Sequence, residues 1–477
     1  MTSRSGGLLE LVARGKKDVF FTSNPTVSFI HSVYRKAAPF SSEIYVLKPR
    51  NNPEWGKWFE FEYEHRGDLC RNLYLLVDLP TWLPDPAVLA NQSGIVTDAS
   101  GVTYGYCNDV GFQMLDRIQF FQDQVLLHEA YGEMLDWKLA ATYPLGTSLL
   151  VGDEIGHYDD TTSLGIGRAA SPSQLRVPLP LLGWQALGDP GFPSVCLRSQ
   201  RFRIRILLRP LSDLLVASDG RLSPKPWGLP LRIQRTKGGP VDTSQTSLDA
   251  SVMKNLVISL ETTQVYVPAD VQLFLKSQTL RFPYRTLQFQ QYTIADNQFV
   301  PAAPPYSTTV QIPLAVDFIG SVSQLLFAVR SETSTQAGQR LTLRPPSGSF
   351  SKYAGQYAEQ FITSARLTIA NLDRVKPWDV ATFRESTAYW KQTAMTLTSA
   401  GLPAEIYNLT FGGFDYGAPA GTLNLTRASL PVLTLTLAST PYDPRTISRK
   451  AFVLLYAESW NVFEITGGKG RMMFDDS

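Results

Sequence analysis

The chain's 477 residues exceed one ordinary domain and leave room for two large β domains, and at 44% hydrophobic they can bury sizeable cores. A formal charge of +2 with no extended Lys/Arg block gives no ground for direct nucleic-acid binding. No apolar run approaches the length of about 18 residues that a membrane-spanning helix needs. The 18% of charged residues is below the roughly 25% of average soluble proteins. That fits a surface covered by other subunits, and equally a turn-rich β protein.

In chain order, Leu8, Leu9, Leu11 and Val12 form a small apolar patch, followed by the cations Arg14, Lys16 and Lys17. Glu10 interrupts the patch, which is too short and too polar for a signal peptide. Val19, Phe20 and Phe21 make an apolar run before the turn signal Asn24-Pro25. Val27, Phe29 and Val33, then Phe40, Ile44 and Val46, recur at broadly two-residue spacing, the period of half-buried strands. Trp58–Tyr63 alternates and Leu73–Leu79 is continuously apolar apart from Asp78, so Gly67-Asp68 between them predicts a hairpin. Residues 80–110 read as loop. Leu115–His128 predicts two short strands around Gln122-Asp123-Gln124. A short amphipathic helix follows, with Tyr131, Met134, Leu135, Trp137 and Leu139 as its apolar members. A cofactor-box reading of Tyr131 and Trp137 is the weaker one.

Residues 142–176 predict another loop, and Val177-Pro178-Leu179 begins a run that turns at Gly183. Arg201–Arg209 alternates: Phe202, Ile204 and Ile206 point inward, and Arg201, Arg203 and Arg205 lie on the other face. Such a face is either a phosphate-binding ladder or, more simply, a solvated or intersubunit strand face. Residues 216–253 are rich in Pro, Gly, Ser, Thr and Lys, and composition alone would place a domain boundary there. Further strands are expected at 287–292, 310–316, 324–329, 365–369, 422–424, 432–437 and 452–457.

Both ends of the chain resemble the major capsid proteins of nucleocytoplasmic large DNA viruses, of the iridovirus and phycodnavirus kind. At the start stand Gly6-Gly7, Leu11-Val12-Ala13, Asp18-Val19-Phe20, Ser23-Asn24-Pro25, Phe29 and Val33-Tyr34-Arg35. At the other end Tyr456-Ala457 and Trp460-Asn461-Val462 lead into a tail with Gly467, Gly468, Gly470, Met472 and Met473. The chain departs from the family in having Phe463-Glu464 where Leu-Arg is usual, and in a more charged tail.

Chemistry-bearing motifs are few. The four histidines and three cysteines lack the spacing of a zinc site, and no phosphate-binding glycine loop or nucleophile elbow occurs. An odd, widely spaced set of cysteines (Cys70, Cys107, Cys196) is no disulfide framework and suits a reducing compartment. The paired acids Asp153-Glu154 and Asp159-Asp160 read as solvated loop residues rather than a glycosidase pair. The sequons at Asn91, Asn408 and Asn424 read as chance matches.

The resemblance implies an all-β fold of two tandem antiparallel jelly-roll barrels, with short helices in loops. It divides the chain into an arm (1–17), a first barrel (18–275) with a long loop insertion at 216–253, a linker (276–282, around Leu275–Arg281) and a second barrel (283–477). It implies no enzyme and no cofactor or metal, but the major shell protein of an icosahedral virion, assembled in the host cytoplasm. Homotrimers would tile as pseudo-hexagonal capsomers beside neighbouring capsomers, minor capsid and penton proteins, above an inner viral membrane. Leu8, Leu9, Leu11, Val12, Arg14, Lys16 and Lys17 are the assembly-arm candidates. Other roles are a transient scaffold or minor capsid paralogue of the same fold, or a β-sandwich carbohydrate-active protein.

Overall fold

The computed structural model describes residues 39–81, 94–142, 145–158, 174–182, 191–197, 200–227, 230–235, 242–247, 254–294, 309–336, 338, 362–379, 406–411, 421–438 and 450–474. The strand read at Val27–Val33 and the arm before it lie outside these residues.

Strands β1 (Ser41–Leu47), β2 (Trp58–Tyr63) and β3 (Leu69–Asp78) open the described chain. β4 (Gly94–Asp98), β5 (Tyr104–Tyr106) and the one-turn helix α1 (Val110–Gln113) follow. Next come β6 (Leu115–Gln122), β7 (Val125–Ala130), α2 (Gly132–Thr142), α3 (Leu145–Ile155), β8 (Leu175–Pro178) and β9 (Phe202–Leu208). β10 (Leu215–Ala217), β11 (Pro230–Arg235), β12 (Asp242–Ser247) and β13 (Val257–Tyr266) complete a first set. After α4 (Ala269–Ser277) the second set begins with β14 (Leu280–Ile294), β15 (Thr309–Ala315) and β16 (Ser321–Ser331). It continues through α5 (Glu332–Gln336), β17 (Ile362–Ile369), β18 (Leu372–Asp379), β19 (Tyr407–Thr410) and β20 (Leu423–Asn424). β21 (Val432–Ala438), β22 (Ala451–Thr466) and β23 (Lys469–Met472) end it.

In the first set the sheet β1-β13-β3-β8 packs against β2-β9-β6-β7, and in the second β14-β22-β16-β19 packs against β15-β21-β17-β18. The named pairings are antiparallel, and the chain passes repeatedly from one sheet to the other, as in a jelly roll. Smaller sheets β12-β11-β4 and β10-β5 lie off the first barrel.

The inward faces follow the period-2 pattern. Phe59, Phe61 and Tyr63 of β2 and Phe202, Ile204 and Ile206 of β9 are buried, as their alternation predicts. The middle of β22 breaks the alternation: Val453, Leu454, Leu455, Tyr456 and Ala457 are all buried. Val453, Leu455 and Ala457 belong to the second barrel's core, while Leu454 and Tyr456 join the first barrel's. A strand covered on both faces needs a continuous apolar run, and this one has it.

Several expectations are corrected. Gly67-Asp68 does not close a hairpin: β2 pairs with β9 and β3 with β13 and β8, so residues 64–68 turn a corner between two sheets. Their backbone is held by β13, through Gly67 N–H to Gln264 Oε1 (3.1 Å) and Asp68 N–H to Val265 O (2.9 Å). Ile44 (64% exposed) and Val46 (46%) face outward, because the register with β13 turns Tyr45 and Leu47 inward. The helix after β7 is not amphipathic: Glu133, Met134, Leu135, Asp136 and Trp137 are all buried. The region 80–110 carries β4 and β5, 142–176 carries α3, and 216–253 carries β11 and β12, of which β11 pairs with both β4 and β12. Leu275–Arg281 holds the last turn of α4 and the first residues of β14.

Candidate functional site at the junction of the two barrels

The richest side-chain constellation lies where β14, β22 and β16 back onto the first barrel. Its keystone is α2, whose entry is fixed by a glycine: a Cβ on Gly132 would lie 2.1 Å from Phe112 O. Two of its charged side chains pair with the adjacent strands β22 and β16 of the second barrel. Lys138 Nζ stands 2.6 Å from Glu458 Oε1 on β22. Glu133 pairs with Arg330 on β16 and, at 3.3 Å, with Arg209 just after β9. Glu458 also accepts from Gln324 Nε2 (2.6 Å) and Arg285 Nη1 (3.4 Å). Burial pushes the Glu458 carboxyl upward, but Lys138 and Arg285 outweigh it and hold it below the usual carboxylate range.

Aromatic packing fills the same wall. Tyr456 stacks on Phe289 at 4.7 Å and meets Trp137 of α2 edge-on at 5.1 Å. Tyr284 donates to Leu127 O (3.0 Å) and carries the edge of His128 against its ring. Burial drives the His128 imidazole down to about 4 despite a backbone hydrogen bond with Arg285, and Lys138 adds to the depression.

The glycine-rich tail is part of this junction. Gly467 and Gly468, both at positive φ, turn β22 into β23. Gly470 then accepts from Gln122 Nε2 (2.8 Å) and donates to Gln200 Oε1 (2.9 Å), both of the first barrel. Glu464, where the chain departs from the family pattern, binds Arg281 (3.0 Å) and Arg471 (2.7 Å). The hydrogen bonds from Arg471 and Arg281 hold its carboxyl below the ordinary range.

The assembly-arm candidates Leu8, Leu9, Leu11, Val12, Arg14, Lys16 and Lys17 lie outside the described residues. On the arginine face of β9, Arg203 lies 3.8 Å from Glu60 and Arg205 covers the Trp58 ring at 4.3 Å. Asp153 and Glu154 sit on α3 rather than in a loop, with Glu154 3.5 Å from Arg176. Asn408 is buried against Gln324, so that sequon is closed to modification as folded. None of the three cysteines forms a disulfide, and all are buried. Among the described residues no cluster of metal-ligating groups occurs. No helix of the described residues is long and apolar enough to cross a membrane.

Sequence reasoning missed the charged residues of α2. Their signal was present: Glu133, Asp136 and Lys138 interrupt a helix whose other residues are mostly apolar, and charges are rarely buried unless paired.

Large apolar side chains stand exposed near several strand ends of both barrels. Strand registers bring together Gln122 with Val125, Ser41 with Tyr266, Leu280 with Ile465 and Ile369 with Leu372. Val125 and Leu126 in the first barrel, Leu273 and Phe274 on α4, and Ile319, Leu372 and Leu430 in the second are among those exposed. The junction thus joins the two barrels through buried ion pairs, and the strand ends present apolar side chains.

Solved structures share this architecture. PBCV-1 VP54 superposes with a TM-score of 0.67 at 14% identity, covering 94% of this chain and 100% of that one. The Faustovirus major capsid protein gives 0.60 at 13% identity, with 96% of each chain covered. The chain carries the double jelly-roll fold of viral major capsid proteins. Curated relatives point the same way. Capsid protein 1 of Acanthamoeba polyphaga mimivirus is 25% identical over 227 residues, or 45% of this chain and 36% of its own length. The major capsid protein of Chrysochromulina ericina virus is 25% identical over 247 residues, 44% of this chain and 42% of its own. The matches thus span less than half of either relative. No family model matches the chain. The double jelly roll inferred from its two ends is the fold it has.

Proposed function

We propose that this double jelly-roll protein is the major building block of an icosahedral large-DNA-virus shell and acts by association rather than catalysis. The observation that carries the reading is the fold shared with viral capsid proteins over 94% of the chain, with its barrels joined by the buried ion pairs Lys138–Glu458 and Glu133–Arg330. A rigid two-lobed subunit gives six lobes around a three-fold axis, a nearly hexagonal block that tiles a surface. We read the capsomer as a homotrimer in the virion capsid, assembled in the host cytoplasm against neighbouring capsomers, minor and penton proteins and an inner membrane. The arm at 1–17, the barrels at 18–275 and 283–477 and the linker between them belong to the same proposal. Light scattering coupled to size exclusion tests it: the expected particle has about three times the 53.0 kDa chain mass. A monodisperse monomer at micromolar concentration overturns the capsomer. Abundance in purified mature virions separates the shell role from a transient scaffold or minor paralogue.

A further inference from the structure

Three short connections of the second barrel meet at one tip. Residues 316–320, the turn between β17 and β18, and residues 425–431 are stitched by Val316 N–H to Pro431 O (3.0 Å), Ala370 N–H to Ser429 O (2.7 Å) and Leu425 N–H to Gly320 O (3.0 Å). Ile319 (45% exposed), Leu372 (74%) and Leu430 (73%) project from them. Ala370, Asn371 and Leu430 adopt positive φ (50°, 62° and 46°), Leu430 directly before a proline. That conformation is costly for leucine and, before proline, doubly disfavoured; such outliers point to use. A leucine with three quarters of its surface in water stands out from the protein instead of lining a groove.

Cations outnumber carboxylates around these leucines. Arg374 and Lys376 follow Leu372 at alternate positions on β18, and Arg427 precedes Leu430; all three are exposed. Of the nearby carboxylates Asp373 is held by Arg366 at 2.6 Å, which leaves Asp317 against three cations.

We propose that this tip docks onto a bilayer surface containing anionic phospholipid. Ile319, Leu372 and Leu430 enter the interface, and Arg374, Lys376 and Arg427 meet the headgroups. Convex aliphatic tips ringed by long cations suit a fluid interface better than a folded protein partner, which would need a concave match. The inference deepens the reading of the chain as a shell protein above a membrane and rests on it.

The test uses the full chain pelleted with vesicles of phosphatidylcholine, with or without phosphatidylserine. Binding is expected only with phosphatidylserine and is weakened by added salt. The pair Arg374→Gln, Lys376→Gln is expected to weaken it roughly thirtyfold, about fivefold per charge. Leu372→Ser with Leu430→Ser is expected to abolish it, with circular dichroism and sizing unchanged because both positions are exposed. Pelleting equal for both vesicle types, or unmoved by either pair, overturns the proposal. So does retention on an acidic leucine-rich peptide without vesicle binding, which assigns the tip to a protein. A trimer that ignores vesicles sinks the tip alone; a monomer that binds them sinks the capsomer and leaves the tip.

Discussion

His128 shows how much one side chain at the junction constrains the molecule. It is buried against Tyr284 and stays neutral down to about pH 4, whereas an unfolded histidine titrates near 6.5. Its folded value is the lower one, so its contribution to stability is present above 6.5 and is lost as the pH falls toward 4. The difference of about 2.5 units corresponds to roughly 3 kcal/mol, since the group is fully buried. We predict that the stability gap between the wild type and His128→Gln, read from urea unfolding, shrinks by about that amount between pH 7 and pH 4. A gap independent of pH would mean that the imidazole is solvated.

At the scale of elements, α2 is the piece that joins the two barrels electrostatically. Lys138→Met leaves Glu458 buried with Arg285 as its remaining cation and is predicted to cost about 3 kcal/mol. Adding Glu458→Gln should return part of that loss, because Arg285 is 23% exposed and can turn to water. Strictly additive losses in thermal unfolding would show that the pair does not couple. The same element shows where sequence reading stops. Strands such as β2, β9 and β21 were legible because one face is buried and the other is not, so the period is written in the residues. α2 and β22 are covered on several sides, and amphipathic pattern then carries no information about direction. The 64–68 corner misled for a related reason: a glycine-aspartate turn between two apolar runs looks alike whether the strands pair or face one another across a core. The junction's ion pairs were invisible because Lys138 and Glu458 stand 320 residues apart in sequence.

For the whole molecule, the barrels fold without help from the far N-terminus if the arm serves assembly. Four aliphatic side chains at Leu8, Leu9, Leu11 and Val12 could add roughly 1.5 to 3 kcal/mol each when buried, enough to decide a contact between capsomers. We predict that deleting residues 2–17 leaves a folded trimer, by circular dichroism and sizing, that fails to complement virion assembly. Normal particles from the truncated chain would refute an assembly role, and a monomeric product would move the arm into the capsomer itself.

The wall shared by the barrels also bears on how the protein is made. Leu454 and Tyr456 of β22 close the flank of a barrel whose own strands were translated long before them. The roughly 180 residues between Leu287 and Ile465 occupy a ribosome for about 10 to 35 s. Throughout that interval the first barrel is finished on its own sheets but open along the side that α2, Tyr131 and Leu127 present. A nascent chain in this state exposes apolar surface that only its own later sequence fits, which makes the interval of synthesis the window in which chaperones matter most and premature termination is most hazardous.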